Sequence, residues 1–185
     1  MRASVFIACS LDGYIADPNN DLQWLISIPN ASGSDFGYKE FVNGVDCLLM
    51  GRNTFEFVLG FGQWPYEKPV FVASSSLTAP PAGYEDKVSI VSGAPKELLA
   101  AIEKTGCRNI YVDGGALITC FLEDDLIDDM IITRTPQLLG AGYPLFGALS
   151  RGSIWKKTST RELNDYLVQT RYERDRSRPA GTTGY

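Results

Sequence analysis

Four short stretches of this chain carry residue types suited to holding phosphate groups. Gly51-Arg52-Asn53-Thr54 sets a glycine, a guanidinium, an amide and a hydroxyl side by side. At the start of a helix such a group meets free backbone N–H donors and the positive end of the helix dipole, and both favour anions. Asp113-Gly114-Gly115 lets the main chain approach a pyrophosphate with no Cβ in the way. Ser74-Ser75-Ser76 supplies hydroxyls, and Ser92-Gly93 a small polar turn. Each stretch also has an ordinary structural use: glycines make tight turns, serines cap helices, and Arg52 is equally a solvated surface charge. Four together are more specific, and they point to a dinucleotide with several phosphates. The usual fingerprints are absent. There is no Walker sequence, and Gly60-Phe61-Gly62 runs into Gln63-Trp64-Pro65 with no third glycine.

The 185 residues include no histidine. That excludes Ser-His-Asp and Cys-His nucleophile systems and every histidine-containing zinc site. Chemistry is left to carboxylates, hydroxyls, lysines, cysteines or a bound cofactor. Cys9, Cys47, Cys107 and Cys120 show no Cys-x-x-Cys spacing, and three lie in apolar runs. They read as small buried hydrophobes in a reducing compartment, with no metal site expected. Lys plus Arg is 17 against 22 Asp plus Glu, a net charge of −5 with no basic block. Such a chain is poorly suited to nucleic acid or anionic membranes. No apolar run approaches the ~18 residues of a spanning helix. The apolar run after Ser4 is too short for a signal-peptide core, so a cytoplasmic location is expected.

The elements that must position these residues follow from apolar patterning. Residues 5–9, 47–50, 69–73, 88–91 and 109–112 are short apolar runs of buried-strand type. Helices are expected over 54–59, 95–104 and 116–122, the first with Asn53 and Glu56 at capping-box spacing and the second with Pro95 in its favoured first position. A further helix is expected over 35–42, capped by Ser34, with Phe36, Phe41 and Val42 inward. Strands alternating with helices imply crossovers and a largely parallel sheet. After Asp128 the pattern changes to two late strands, 130–133 and 166–172, with no helix between them and an antiparallel pairing expected. The reading is one domain over 1–176 and a loose tail over 177–185.

Several of these stretches together resemble the dihydrofolate reductase superfamily: residues 10–16 (SLDGYIA), 48–56 (LLMGRNTFE), 112–115 (VDGG) and 136–146 (PQLLGAGYPLF). More closely, they are similar to the reductase domain of bacterial riboflavin biosynthesis and its single-domain relatives, in unbroken order from Val5 to Tyr172. The resemblance implies an α/β fold of three layers, with a mostly parallel twisted sheet flanked by helices and an antiparallel C-terminal strand. It implies an NADPH-dependent reductase, and it assigns residues. Ala8 and Ile15 would touch the nicotinamide, and residues 11–20 would form a loop over the site. Gly51, Arg52, Asn53 and Thr54 would hold phosphates, with Arg52 near the adenosine 2′-phosphate. Ser74 and Ser75 would lie on the adenosine side, with Ser92 at a neighbouring strand end. Asp113, Gly114, Gly115 and Ala116 would lie under the pyrophosphate. Asp35 falls where the folate enzyme keeps its catalytic carboxylate, and Thr133 would be its hydrogen-bonding threonine. By its residue type alone Asp35 suits the first turn of a helix equally well. A homodimer is implied too, with the 136–147 loop a candidate contributor.

The departures narrow the substrate. The arginine that grips the glutamate tail of folate would fall near Pro65, yet no arginine lies between Arg52 and Arg108. The zinc deaminase half of the bifunctional riboflavin enzyme needs histidine and paired cysteines, so this chain offers at most the reductase half. The expected substrate is a small heterocyclic or sugar-carbonyl molecule, with a ribosylated aminopyrimidine the sharpest candidate. The alternatives are a dihydrofolate or pterin reductase and a nucleotide-binding protein without turnover.

Overall fold

The computed structural model describes residues 1–177. In chain order the elements are β1 (Arg2–Cys9), β2 (Tyr14–Ala16), α1 (Gln23–Ile26), α2 (Tyr38–Asn43), β3 (Cys47–Gly51), α3 (Arg52–Leu59), β4 (Val70–Ala73) and β5 (Val88–Val91). Then follow α4 (Pro95–Glu103), β6 (Asn109–Asp113), α5 (Gly115–Glu123), β7 (Asp129–Arg134), β8 (Tyr143–Pro144), β9 (Trp155–Glu162) and β10 (Val168–Arg174). One eight-stranded sheet has the order β5-β4-β3-β6-β1-β7-β10-β9. Its neighbours from β5 to β7 are parallel, and β10 and β9 are antiparallel additions. A separate ribbon pairs β2 with β8.

Parallel strands covered on both faces read as continuous apolar runs, and alternate residues supply the two layers. Val5, Cys47, Leu49, Ile110 and Val112 pack on one face with Leu98 and Ile102 of α4 and Ile118 and Phe121 of α5. Leu48, Met50, Val70, Val72 and Tyr111 pack on the other face with Phe55 of α3 and with Tyr38 and Phe41 of α2. This is the three-layer arrangement expected, with the antiparallel late strand in place.

Several local expectations are corrected. The helix expected over 35–42 begins only at Tyr38, because Gly37 turns through a left-handed φ of 87° at its entrance. Ser34 Oγ accepts the Phe36 N–H at 3.0 Å and caps no helix. Helix α3 starts at Arg52, so Asn53 lies inside its first turn and the Asn53–Glu56 capping box does not form. Strand β9 is missing from the sequence reading. It is an edge strand exposed along nearly its whole length, so no apolar alternation marks it. Cys9 and Cys47 are buried as expected, whereas Cys120 is exposed. The expected loose tail lies, except for Ser177, outside the described residues.

A polar knot joins the parallel strands to the antiparallel extension. The Asp129 side chain is 2% exposed. It accepts Arg2 Nε at 2.9 Å, Ser4 Oγ at 2.5 Å and Arg171 Nη2 at 3.0 Å, tying β1, β7 and β10 together. Removing it strands the buried Ser4 hydroxyl, while both arginines are 43–49% exposed and can turn to water. Asp129→Ala is expected to cost about 2–3 kcal/mol. The check is a lower urea midpoint at unchanged slope, partly recovered in Asp129→Asn, and an unmoved midpoint would contradict it.

Candidate active site

Because the strands from β5 to β7 are parallel, their carboxyl ends share one edge of the sheet. The register sets Ala8 beside Thr133, and Met50, just before Gly51, beside Asp113. Helices α3 and α5 leave this edge with no side-chain cap on either N-terminus, so their first-turn N–H groups have no side-chain partner. The two starts meet. Gly114 has a φ of 95°, and a Cβ on it would lie 2.5 Å from Thr54 Oγ1. A Cβ on Gly115 would collide with the Pro144 carbonyl and sit 3.2 Å from Ile15 Cδ1. Gly51, Arg52, Asn53, Thr54, Gly114, Gly115 and Ala116 are thus drawn to one point. Arg52 is half-exposed, with only a loose pairing to Glu56 at 3.6 Å.

The two outer strand ends are arranged differently. Ser74 Oγ accepts the N–H groups of Ser76 at 3.2 Å and Leu77 at 2.9 Å, folding the serine run into a turn with Ser75 exposed. Beside Ser92, Glu97 Oε2 accepts the Ala94 N–H at 2.8 Å and lies 2.7 Å from a Cβ built on Gly93. That carboxylate already serves the start of α4, so the Ser92 turn is electrostatically the least suited of the four to an anion.

The segment after β1 is strapped across the edge. Asp12 accepts Ser10 Oγ at 2.6 Å and the Leu139 and Gly140 N–H groups at 3.1 and 2.8 Å. The hydrogen bonds on Asp12 hold its carboxyl below the usual aspartate range, the Ser10 hydroxyl first among them. Leu11 N donates to Gln137 O at 2.7 Å, Leu145 N to Gly13 O at 2.8 Å, and β2 pairs with β8. Ile15 is carried inward against the core. Beside this strap Gln137 Nε2 donates to Trp24 O at 2.9 Å. The buried Trp24 Nε1, Gln137 Oε1 and Thr135 Oγ1 find no partner among the described residues, a concentration of unmet polar atoms that a ligand or water would satisfy.

Two further carboxylates, Asp35 and Asp113, have opposite surroundings. Asp35 is exposed and accepts Gly37 N at 3.1 Å and Lys39 N at 2.9 Å. These backbone bonds, the one to Lys39 first, hold its carboxyl below the usual range. Its geometry is that of a group capping the entrance to α2. Burial pushes Asp113 up to about 6, against the Gly114 N–H at 2.9 Å and the neighbouring Tyr111, which pull it down. Tyr38 is pushed up to about 12 by burial and by Asp113, and Tyr66 and Tyr111 are raised by the same two causes. Tyr38, Tyr66 and Tyr111 belong to the core cluster on the face of β6 toward which Asp113 alternates, and the Tyr111 hydroxyl donates to Phe6 O at 2.8 Å. The sequence reading assigned Asp113 to the pyrophosphate and missed this inward role. Strand alternation carried the signal, since Asp113 must share a face with Tyr111.

Thr133 is 5% exposed, and its hydroxyl accepts Gln169 Nε2 at 2.9 Å across the β7–β10 pair. Gln169 is in turn held by Arg161 of β9. Both were missed, Arg161 because β9 itself was missed. A groove of about 460 Å³ runs between α2 and the late strands, lined by Arg161, Gln169, Arg171 and Asp129. It reaches toward the amino ends of β1 and β7, away from the glycine-lined helix starts.

A relative from Bacillus subtilis (strain 168), the uncharacterized protein YwjB, is 33% identical over 177 residues, covering 94% of this chain and 98% of its own. A solved structure described as a putative riboflavin biosynthesis protein, from Shewanella sp. PV-4, superposes with a TM-score of 0.92 at 48% identity over 95% of this chain and all of its own. Dihydrofolate reductase from Enterococcus faecalis, complexed with NADP(H), shares the fold at a TM-score of 0.61 and 19% identity, covering 94% of this chain and 96% of its own. The Thermotoga maritima deaminase/5-amino-6-(5-phosphoribosylamino)uracil reductase shares it at 0.72 and 15%, covering 94% of this chain and 56% of its own. The family model of the RibD C-terminal domain matches residues 4–168, and this chain belongs to that family.

Proposed function

We propose that this protein is an NADPH-dependent reductase that transfers hydride to a small heterocyclic or sugar-carbonyl substrate, of the 5-amino-6-(5-phosphoribosylamino)uracil reductase type. The observation that carries this reading is the meeting of two uncapped helix starts, where the close contact of Gly114 with Thr54 brings their first-turn N–H groups together beside the open space at Gly51. The residues present fit the cofactor. Gly51 faces open space at the joined helix starts, the half-exposed Arg52 is held only loosely by Glu56 at 3.6 Å and can turn to a 2′-phosphate, and unmet polar atoms lie by the strap. When bound, NADPH supplies the hydride. Ile15 and the 11–20 segment would exclude water from the nicotinamide, with Ala8, beside Thr133 in the sheet, next to its ring. Trp64 and Tyr66 pack edge to face at 5.3 Å where a folate enzyme needs a cation, so a glutamate-tailed substrate is disfavoured.

Of the two carboxylates, Asp113 is the better holder of a transferable proton. A general acid works best with a pKa near the working pH, which burial gives Asp113 and capping denies Asp35. The proposed division is that Asp113 handles the proton while Asp35 fixes the entrance to α2.

Three outcomes test this. NADPH should bind more tightly than NADH, and Arg52→Ala should cut NADPH affinity roughly 10- to 100-fold while sparing NADH, the value of a charge-assisted contact. Equal affinities in the unmutated protein would sink the assignment. In single-turnover hydride transfer, Asp113→Asn should slow the reaction by ~10²–10⁴ and Asp35→Asn by less than tenfold. The unmutated rate should fall as pH rises through about 6, where Asp113 loses its proton. Its folded-state pKa is raised from 3.8, so its stabilising contribution is complete below about pH 4 and lost as pH rises through about 6. Asp113→Asn should abolish that fall. The reverse ranking of the two variants would return the proton to Asp35. The homodimer is a proposal as well, supported by exposed Leu138, Tyr143 and Phe146 in the 136–147 loop. Sedimentation at micromolar concentration should give twice the chain mass, and a monomer would remove it.

A further inference from the structure

The polar chain that ends on Thr133 runs in one direction only. Arg161 donates from Nε at 2.8 Å and from Nη2 at 2.5 Å to Gln169 Oε1. A guanidinium has donors and no acceptor, so the Gln169 atom facing it must be the carbonyl oxygen. The amide nitrogen then faces the other way, and Nε2 donates to Thr133 Oγ1 at 2.9 Å and to Phe36 O at 3.1 Å. A main-chain carbonyl cannot donate, so the Phe36 contact fixes the same orientation independently. Both amide hydrogens are spent. Thr133 Oγ1 is therefore an acceptor toward Gln169, and its own hydrogen has to point elsewhere.

Two further features make this polarity hard to reverse. Gln169 is 3% exposed and Thr133 5%, so water does not freely replace either partner. Phe36 sits at a left-handed φ of 54°, rare for a residue with a bulky side chain, and its carbonyl also receives Arg161 Nη2 at 3.4 Å. The same arginine–glutamine pair thus holds down the segment before α2 and orients the hydroxyl across from Ala8.

We infer that Gln169, locked by Arg161, is a positioning residue that fixes Thr133 as a hydrogen-bond donor to the substrate. The substrate edge presented to Thr133 is then an acceptor, either a ring carbonyl or an unprotonated ring nitrogen. A group offering only N–H or O–H hydrogens there would meet a donor and be rejected. For the substrate the inference rests on the reductase reading; for the direction of the hydroxyl it does not.

The test has two arms. The first follows hydrogen exchange of side-chain amides in the free protein by NMR, with exposed Gln63 as internal reference. Both Gln169 amide hydrogens should exchange at least tenfold more slowly than those of Gln63, and Thr133→Val should release one of them. Exchange as fast as Gln63 overturns the proposal. The second arm uses NADPH and 5-amino-6-(5-phosphoribosylamino)uracil. Gln169→Glu keeps the shape and the Arg161 partner but offers Thr133 only an acceptor, so the hydroxyl must reverse. The expected result is a KM for the pyrimidine raised tenfold or more, with the NADPH dissociation constant within twofold. The same change in a Thr133→Val background should move KM less than twofold. An equal effect in the Thr133→Val background overturns the positioning role, because Gln169 would then act through Phe36 alone. If the unmutated protein fails to oxidise NADPH with this pyrimidine, the substrate reading falls and the exchange arm decides the hydroxyl's direction: protection supports it, and its lack overturns it.

Discussion

A parallel strand pair cannot be closed by a tight turn, so the chain has to cross the length of the sheet before it pairs again. In this protein that constraint acts between β5 and β7, and it brings the strand ends to a common edge. The helix starts of α3 and α5 follow directly after β3 and β6, which are neighbours in the sheet. Their closeness is therefore a product of strand order, and the glycines at 114 and 115 permit the approach without causing it. An alanine at either position would push against Thr54 Oγ1 or the Pro144 carbonyl. The site would then be lost even if the sheet were intact.

The antiparallel extension solves a different problem. β7 has β1 on one side and would otherwise present a bare edge on the other. β10 covers that edge and β9 covers β10, but with little apolar material, since β9 is exposed along nearly its whole length. Its stabilisation is polar instead. Asp129 is clamped by Arg2, Ser4 and Arg171 at the amino end of β7, and the Arg161–Gln169–Thr133 chain holds its carboxyl end. Buried polar chains have definite donor and acceptor directions, which an apolar layer lacks. The strand that completes the sheet thereby also orients a hydroxyl at the site.

How much of this was legible in the sequence depended on which physical signal each part leaves. The central strands were legible because burial on both faces requires runs such as Cys47-Leu48-Leu49-Met50, and the helices after them because of Pro95 and the glycines that flank them. The sheet edge that gathers Gly51, Thr54 and Gly114 followed from the alternation of strand and helix. Strand β9 left no signal, since an edge strand solvated on both sides has no hydrophobic period. Arg161 was hidden with it. The late start of α2 was missed because Asp35 can cap a helix from three residues upstream through a left-handed Gly37, a geometry that residue types alone do not specify. Asp113 was found for its place beside two glycines, while its inward direction depended on which face of β6 the helices cover.

Asp35 and Asp113 show how one side-chain type is shifted in opposite directions by surroundings alone. Two backbone N–H groups solvate the Asp35 carboxylate nearly as water would and add the favourable end of a helix, so its charged form is favoured. Asp113 receives one backbone N–H, and on its face of β6 lie phenol rings that cannot screen a charge as water does. Its neutral form gains accordingly. The phenols respond in kind: burial first, and the Asp113 charge second, make each harder to ionise. A chain without histidine has few other ways to hold a proton that can be moved near neutral pH. Asp113, half-buried on the strand whose next two residues are Gly114 and Gly115, is a carboxyl that burial raises toward that range.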